Sequence, residues 1–171
     1  MFKTDEDMNR ADWPLLQNGA INLFWRPEIL NEAQRALGLL GYEIAEISGR
    51  SGWSGFRTQM SFTLRWDEQF GYASWTGNMN ALNDGLRGYP FGVSHRNALV
   101  IRDFDILVEE DREGSRILLD LLETTARDHL LWGKTLVVLI HTNDNRYDSG
   151  PVGGRSAHWN QREWMDASRC L

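Results

Sequence analysis

The sequence predicts an α/β domain with a small, largely parallel β-sheet of three to four strands flanked by helices. Two patterns carry this prediction. Short runs of strand-forming residues alternate along the chain with stretches that have a helical apolar stripe. The run at 135–142, TLVVLIHT, is almost entirely apolar, which is typical of a strand that is covered on both faces.

The boundaries of the elements come from these periods and from the glycines and prolines that interrupt them. In chain order, we predict a lead (1–20), a strand (21–25), a helix (27–41), a strand (42–47), a loop (49–55), a segment that fits a helix or a strand (56–66), a loop (71–77), a short helix (78–86), an irregular stretch (88–97), a strand (98–104), a long helix (115–131), a strand (135–142), a polar Gly-rich excursion (143–156) and a closing helix (159–169).

In the first half, the lead 1–20 is polar and without a clear period, so we expect it to be loosely attached. Pro27 suits the first position of a helix, where a missing N–H costs little, and Gly41 suits the end of one. The alternating run 42–47 then predicts a strand. The segment 56–66 has helical spacing, but its threonines also fit a strand.

In the second half, the helix 115–131 has the clearest apolar stripe of the chain. That stripe includes Leu118 and Leu122, and Gly133 follows the end of the helix. An acidic run lies just before the helix, where negative charge suits the positive end of the helix dipole. Ser115 is the expected N-cap.

Composition limits the classes of partner. The chain of 171 residues has 24 acidic and 18 basic side chains, which gives a net charge of −6. Its eight tryptophans and 42% apolar residues are not typical of a disordered chain. The negative balance disfavours direct binding to nucleic acid, which normally needs basic side chains, but it suits a basic protein partner.

The sequence also indicates the compartment. Cys170 is the single cysteine, so neither an internal disulfide nor a thiolate-rich metal site can form. The first residues, MFKTDEDMNR, are acidic where a signal peptide needs an apolar run, and the apolar stretch 136–140 is too short to span a bilayer. We therefore expect a cytoplasmic protein without membrane contact.

One group of residues suggests an enzyme. The chain has no GxSxG, HExxH, P-loop or GxGxxG motif. Asp103 and Asp105 end the predicted strand 98–104, where two carboxylates spaced i, i+2 would share a face and hold Mg²⁺, and His141 follows the next strand. A small metal-assisted site and a solvated strand end are the two interpretations of this group.

The most informative segment is 75–88, WTGNMNALNDGLRG. On a helix that Asn78 caps, one side would be apolar and would anchor the helix, and the opposite side would be polar. We expect the loop before the helix to expose its two aromatic residues. A protein-binding surface and a plain solvated face both fit this pattern. The apolar side consists of Met79, Leu82 and Leu86, the polar side of Asn80, Asn83, Asp84 and Arg87, and the exposed aromatics are Tyr72 and Trp75.

This segment resembles the barstar family, the intracellular inhibitors of barnase-type ribonucleases. Members carry an aromatic-Gly-x-Asn-x-Asp-Ala-Leu-x-Asp pattern, and the matching run here is NMNALND at 78–84. The resemblance extends from about Leu23 to Arg169. It departs from the pattern at Asn80, which replaces the first helix acid, at Asn83, which replaces a large aromatic, and in the placement of Gly77.

The resemblance implies a barstar-like α/β fold and a cytoplasmic immunity protein or antitoxin that is not an enzyme and needs no cofactor or metal. Its implied partner is a cognate basic ribonuclease toxin, bound by a monomer as a 1:1 heterodimer. Asp84 would mimic the substrate phosphate in the active site of the toxin. The implied partner-binding residues are Tyr72, Trp75, Asn78, Asn80, Asn83, Asp84 and Arg87.

The implied organisation is an N-terminal lead (1–20), a barstar-like domain (21–142) and a C-terminal extension packed on that domain (143–171). Nine acids lie between 98 and 131, beside the recognition helix rather than on it, so most of the negative charge would steer association. An interaction module with a non-nuclease partner is a further alternative.

Overall fold

A computed structural model describes residues 4–72 and 74–171. In chain order it has a 3-10 helix (Asp5–Asn9), α1 (Trp13–Leu16), β1 (Ile21–Phe24), α2 (Pro27–Leu39), β2 (Glu43–Ser48), α3 (Gly52–Thr63), α4 (Trp66–Phe70), α5 (Met79–Arg87), β3 (Arg96–Arg102), α6 (Phe104–Glu110), α7 (Arg112–Leu131), β4 (Thr135–His141), β5 (Pro151–Val152), β6 (Arg155–Ser156), β7 (His158–Trp159) and a second 3-10 helix (Asp166–Arg169).

The central sheet has five parallel strands in the order β2-β3-β4-β1-β7. This confirms the predicted α/β class with a parallel sheet flanked by helices. The expected count of three to four strands is wrong, because the two-residue strand β7 adds to the edge of β1. A separate antiparallel hairpin, β5–β6, lies within the excursion 143–156.

The central strands β3 and β4 are buried along most of their length, because helices cover both faces of the sheet. On one face, Leu99 and Val138 pack in a core with residues of α3, α5, α6 and α7. On the other face, Val100 and Leu139 pack with Leu30 and other residues of α2. Successive residues of β3 and β4 therefore enter opposite cores, as the continuous apolar run at 135–142 predicts.

The segment after β2 is a helix, and its alternative interpretation as a strand is wrong. Helix α3 begins at Gly52, inside the predicted loop 49–55, and buries Trp53, Phe56 and Met60 on one side. The carboxylate of Glu110 accepts the backbone N–H of Trp53 at 2.8 Å and so satisfies a donor in the first turn of the helix.

Helix α7 begins three residues before the predicted start, and the expectation that Ser115 caps it is wrong. The side chain of Asp111 is the cap, because its Oδ1 accepts the N–H of Gly114 at 2.9 Å. Ser115 lies inside the helix and is fully buried. The cap thus lies within the acidic run. The sequence alone does not distinguish Asp111 from the neighbouring acids, because all of them lie near the positive end of the helix dipole.

The N-terminal segment is not loosely attached. Asp12 and Leu15 are buried, and the hydroxyl of Tyr42 donates a hydrogen bond of 2.9 Å to the Asp12 carboxylate. Arg10 binds the same carboxylate at 2.7 Å. The backbone N–H of Ala20 donates to the buried carboxylate of Glu123 at 2.8 Å. Long-range polar contacts of this kind leave no periodic signal in the sequence.

The predicted closing helix 159–169 is also wrong, since only its last residues form a short 3-10 helix. The segment instead lies along β1 and bonds to its carboxyl end. Both the backbone N–H and the side-chain amide of Asn160 donate to the carbonyl of Leu23 at 3.0 Å. The fully buried carboxylate of Glu163 accepts the backbone N–H groups of Trp25 and Arg26 at 3.2 and 2.8 Å.

We predict that Glu163→Ala lowers the free energy of unfolding by about 2–4 kcal/mol, because buried donors at the start of α2 lose their acceptor. Urea unfolding at pH 7 measures the loss. The control is Glu32→Ala, which removes an exposed partner of Arg162 and is expected to cost less than about 1 kcal/mol. Equal costs for the two variants would contradict the role given to Glu163.

Candidate partner-binding site

The candidate site is built on α5, a short helix whose start the sequence predicts correctly. Asn78 is the N-cap, and its side-chain oxygen accepts the backbone N–H groups of Asn80 at 2.9 Å and Ala81 at 3.3 Å. These bonds satisfy two of the donors that a helix leaves free in its first turn. The cap thereby sets where the helix begins and which side chains share its outer face.

The inner face of α5 packs tightly against the core. Leu82, Gly85 and Leu86 are buried. The ring of Trp66 lies so close to the helix that a Cβ added to Gly85 would be 2.7 Å from its Cζ3 atom. Since real Cβ atoms do not approach a ring so closely, the absence of a side chain at this position allows the helix to reach its place.

The outer face of α5 carries the predicted polar set. Asn80, Asp84 and Arg87 are exposed, whereas Asn83 is partly buried. None of these four side chains has a hydrogen bond or an ion pair to any group in residues 4–72 and 74–171. The outer face of α5 therefore presents an unpaired carboxylate, an unpaired guanidinium and two amides without hydrogen-bond partners in the described chain.

The prediction that Trp75 is exposed is wrong. Its side chain is 2% exposed, and its indole Nε1 donates to the carbonyl of Asn78 at 2.7 Å. Its backbone N–H donates to the hydroxyl of Ser61 at 2.8 Å, and its ring packs edge-on against that of Trp53. Trp75 therefore anchors the loop and the helix cap to α3, and it is not available for contact with a partner.

Tyr72 is exposed, as predicted, with 49% of its surface accessible. Its ring packs against Trp66 and Phe70 at centroid distances of 6.1 and 6.0 Å. The remaining surface is available to a partner, and the ring is held by two aromatic contacts. The neighbouring position 73 lies outside the described residues.

A further cation under this loop is not among the residues that the sequence singles out. Arg57 belongs to α3, and a Cβ added to Gly77 would lie 3.1 Å from its Cζ and Nε atoms. Nε is buried without a hydrogen-bond partner. In the sequence, Arg57 is recognisable as a charged residue on a helical stripe whose other members, Trp53, Met60 and Ser61, are buried.

The carboxyl end of α5 is held by a buried histidine. Nε2 of His129, on α7, lies 2.9 Å from the carbonyl oxygen of Leu86. Its ring packs edge-on against Phe91, with the centroids 4.8 Å apart. Burial lowers the pKa of His129, although the hydrogen bond to the carbonyl opposes this effect. The neutral tautomer with a proton on Nε2 is the form that donates to α5.

The alternative site at the carboxyl edge of the sheet has a different geometry from that expected. Asp103 follows β3 in the left-handed conformation with φ of 54°, and Asp105 belongs to α6, so the two do not share a strand face. Asp103 accepts the hydroxyl of Ser48 at 2.8 Å. Asp105 accepts the backbone N–H of Asn143 at 3.0 Å. Each carboxylate is thus occupied by a separate contact within the fold.

His141 is buried beside this edge, and burial lowers its pKa. Its Nδ1 lies 3.5 Å from the backbone nitrogen of Asp103. Among the described residues, no group of three or more His, Cys, Asp or Glu side chains is arranged to hold a metal ion. The side chains of Asp103, Asp105 and His141 are thus not gathered into a three-ligand site.

Two concave surfaces in the described part of the chain lie away from α5. One groove of about 1000 Å³ lies between α2, the N-terminal segment and β7, and a cavity of about 360 Å³ lies beside Tyr42 and Arg96. Neither is lined by a residue of α5 or of the loop before it.

We predict that Gly85→Ala lowers the free energy of unfolding by about 1–3 kcal/mol, because the added methyl group meets the ring of Trp66. The matched control is Gly38→Ala in α2, where nothing lies within 4 Å of the added atom. That change is expected to stabilise the protein by up to about 1 kcal/mol. Chemical denaturation of both variants checks the signs, and a neutral or stabilising Gly85→Ala contradicts the packing.

We predict that His129 makes the protein less stable in mild acid. Its pKa is lower in the folded chain than in the unfolded chain, so the unfolded state binds more protons as pH falls through the range below about 6.5. The contribution of His129 to the free energy of unfolding is therefore complete above that pH and is lost toward pH 5. His129→Gln, which keeps a donor but does not titrate, is expected to reduce this loss. Unfolding midpoints at pH 7.5 and 5.0 measure it, and an unchanged pH dependence contradicts it.

No helix in the described part of the chain combines the length and apolar character needed to cross a bilayer. Comparison with known protein families, curated proteins and solved structures gives no match.

Proposed function

We propose that this protein is a cytoplasmic immunity protein or antitoxin that binds a cationic ribonuclease toxin and occludes its active site. The observation that carries the proposal is the carboxylate of Asp84, which stands unpaired on the outer face of a tightly anchored helix. The likeness of the run 78–84 to the barstar pattern supports the same reading.

The mechanism follows from the chemistry of the implied target. A ribonuclease gathers basic side chains to hold a phosphodiester, and a carboxylate can accept the same charge-assisted hydrogen bonds without being cleaved. Asp84 would occupy the phosphate position. The amides of Asn80 and Asn83 would add neutral hydrogen bonds, and the exposed part of Tyr72 would pack at the rim of the groove.

Rigidity of α5 contributes to affinity in this proposal. The cap at Asn78, the contact of Gly85 with Trp66 and the bond from His129 hold the helix at its start, middle and end. A backbone that is already held in its binding geometry loses little conformational entropy on association. Free Asp84 can therefore convert its contacts into affinity more fully than a carboxylate on a flexible loop.

The remaining acids would act on the rate of association. Glu109 is exposed on α6, and Glu113 is in the first turn of α7. Such charges attract a basic partner over several ångströms and speed encounter at low salt, without contributing specific contacts. We propose that a monomer forms a 1:1 complex with the toxin.

We predict that Asp84→Ala weakens inhibition of the target by at least about 2 kcal/mol, a factor of some thirtyfold in Kd. The measurement is RNA cleavage by a panel of basic ribonucleases, barnase among them, over a range of inhibitor concentrations. The loss of affinity is expected because, without the Asp84 carboxylate, the cations of the toxin would be desolvated in the complex without a partner.

The matched control is Glu109→Ala, which removes an equal charge from an exposed position on α6. It is expected to change the rate of association and its salt dependence, with little effect on the rate of dissociation. Equal effects of the two substitutions would reject the role of Asp84. Binding of a partner without ribonuclease activity through the α5 face would instead indicate a non-nuclease interaction module.

A further inference from the structure

The guanidinium of Arg57 is a charged group of the α5 region that has no acceptor within the described chain. It lies under the loop that leads to α5, with Cζ and Nε 3.1 Å from the Cβ position of Gly77. Gly77 has φ of +105°, a conformation that side-chain-bearing residues rarely adopt. The loop therefore passes directly over the guanidinium because it has a glycine at this point.

Arg57 has no ion pair and no side-chain hydrogen bond to any group in residues 4–72 and 74–171. Its Nε is buried, and its Nη atoms are not among the buried unpartnered atoms, so they reach solvent. A desolvated donor without an acceptor is unfavourable, and buried polar groups in folded proteins are normally paired. Nε is enclosed by the fold, so the Nη atoms are the part of the guanidinium that an acceptor from another molecule could reach.

The position of Arg57 gives the candidate face an alternating charge pattern. Arg57 lies beside the start of α5, Asp84 is in the second half of the helix, and Arg87 is in its last turn. The face is therefore not uniformly negative, although the chain as a whole has a net charge of −6. A partner that presents only cations would match Asp84 and would be repelled at both ends of the helix.

We propose that Arg57 binds an acidic side chain of the partner protein, and that this contact determines which toxin is accepted. The inference rests on the proposed function, since it concerns the same face. A guanidinium presents paired N–H donors that match a carboxylate, and its planar group is already held under Gly77. The negative charge of Asp84 and of the chain favours a single carboxylate over a nucleic-acid phosphate backbone.

The first test measures inhibition of the ribonuclease that the wild-type protein inhibits best. Arg57→Met is expected to weaken inhibition about tenfold and Arg57→Glu about a hundredfold, as expected for loss and reversal of one interfacial charge contact. Arg35→Glu, an exposed position on α2 distant in sequence from the site, is the matched control and is expected to leave inhibition unchanged. Inhibition that resists Arg57→Glu but is lost in Asp84→Ala overturns this inference and leaves the proposed function standing.

The second test separates a binding role from a structural one. Because Arg57 has no partner in the free protein, Arg57→Met is expected to leave the urea midpoint unchanged or to raise it. A clearly lower midpoint would show that the side chain is a structural support for the loop, which overturns the inference.

The third test needs no toxin. Acetate is added to the ¹⁵N-labelled protein at constant ionic strength, with chloride as the balancing anion. Saturable shifts of the Gly77 and Asn78 amides are expected in the wild type and should be absent in Arg57→Met. Wild-type amides that do not respond to acetate overturn the inference, as does binding of a short RNA that Arg57→Glu abolishes. If no ribonuclease is inhibited, the proposed function fails. The acetate titration and the urea midpoint still show whether Arg57 binds a carboxylate or supports the loop.

Discussion

The burial of Trp75 is the constraint on which the candidate site depends. The loop that carries it is polar and rich in glycine, and such a loop would ordinarily be mobile. The indole is instead placed against Trp53 in the core, with its backbone N–H on Ser61 and its ring N–H on the carbonyl of Asn78. These contacts connect the cap of α5 to α3, so the direction of α5 is set by the packing of the domain.

The same constraint explains why the face can hold unpaired polar groups. An exposed carboxylate and free amides contribute nothing to folding, so the free energy that holds α5 in place has to come from elsewhere. It comes from the buried side of the helix, where Leu82 and Leu86 are fully buried and Gly85 meets Trp66. The side chains on the outer face are therefore not needed to hold α5 in place.

The sequence predicts well what depends on periodicity and fails where side chains act over long separations. The fold class, the cap at Asn78 and the polar face of α5 follow from local patterns of apolar and amide residues. The strand β7 and the attachment of the N-terminal segment depend on Glu163 and Glu123, whose backbone partners lie more than 100 positions away. The polar neighbours of Trp75 indicate a loop and so predict an exposed ring, because a loop residue whose ring turns inward has no distinct local pattern.

Buried carboxylates recur as the means by which distant segments are joined. Glu123 binds the backbone before β1, and Glu163 binds the backbone after it. Glu110, which is exposed, accepts the backbone N–H of Trp53 in the first turn of α3. Part of the acidic excess therefore acts inside the fold, where its acceptors are already used. The charge that a partner can recognise is smaller than the total of −6 suggests. In the proposed complex, specificity would therefore depend on the few unpaired groups near α5, namely Asp84, Arg57 and Arg87.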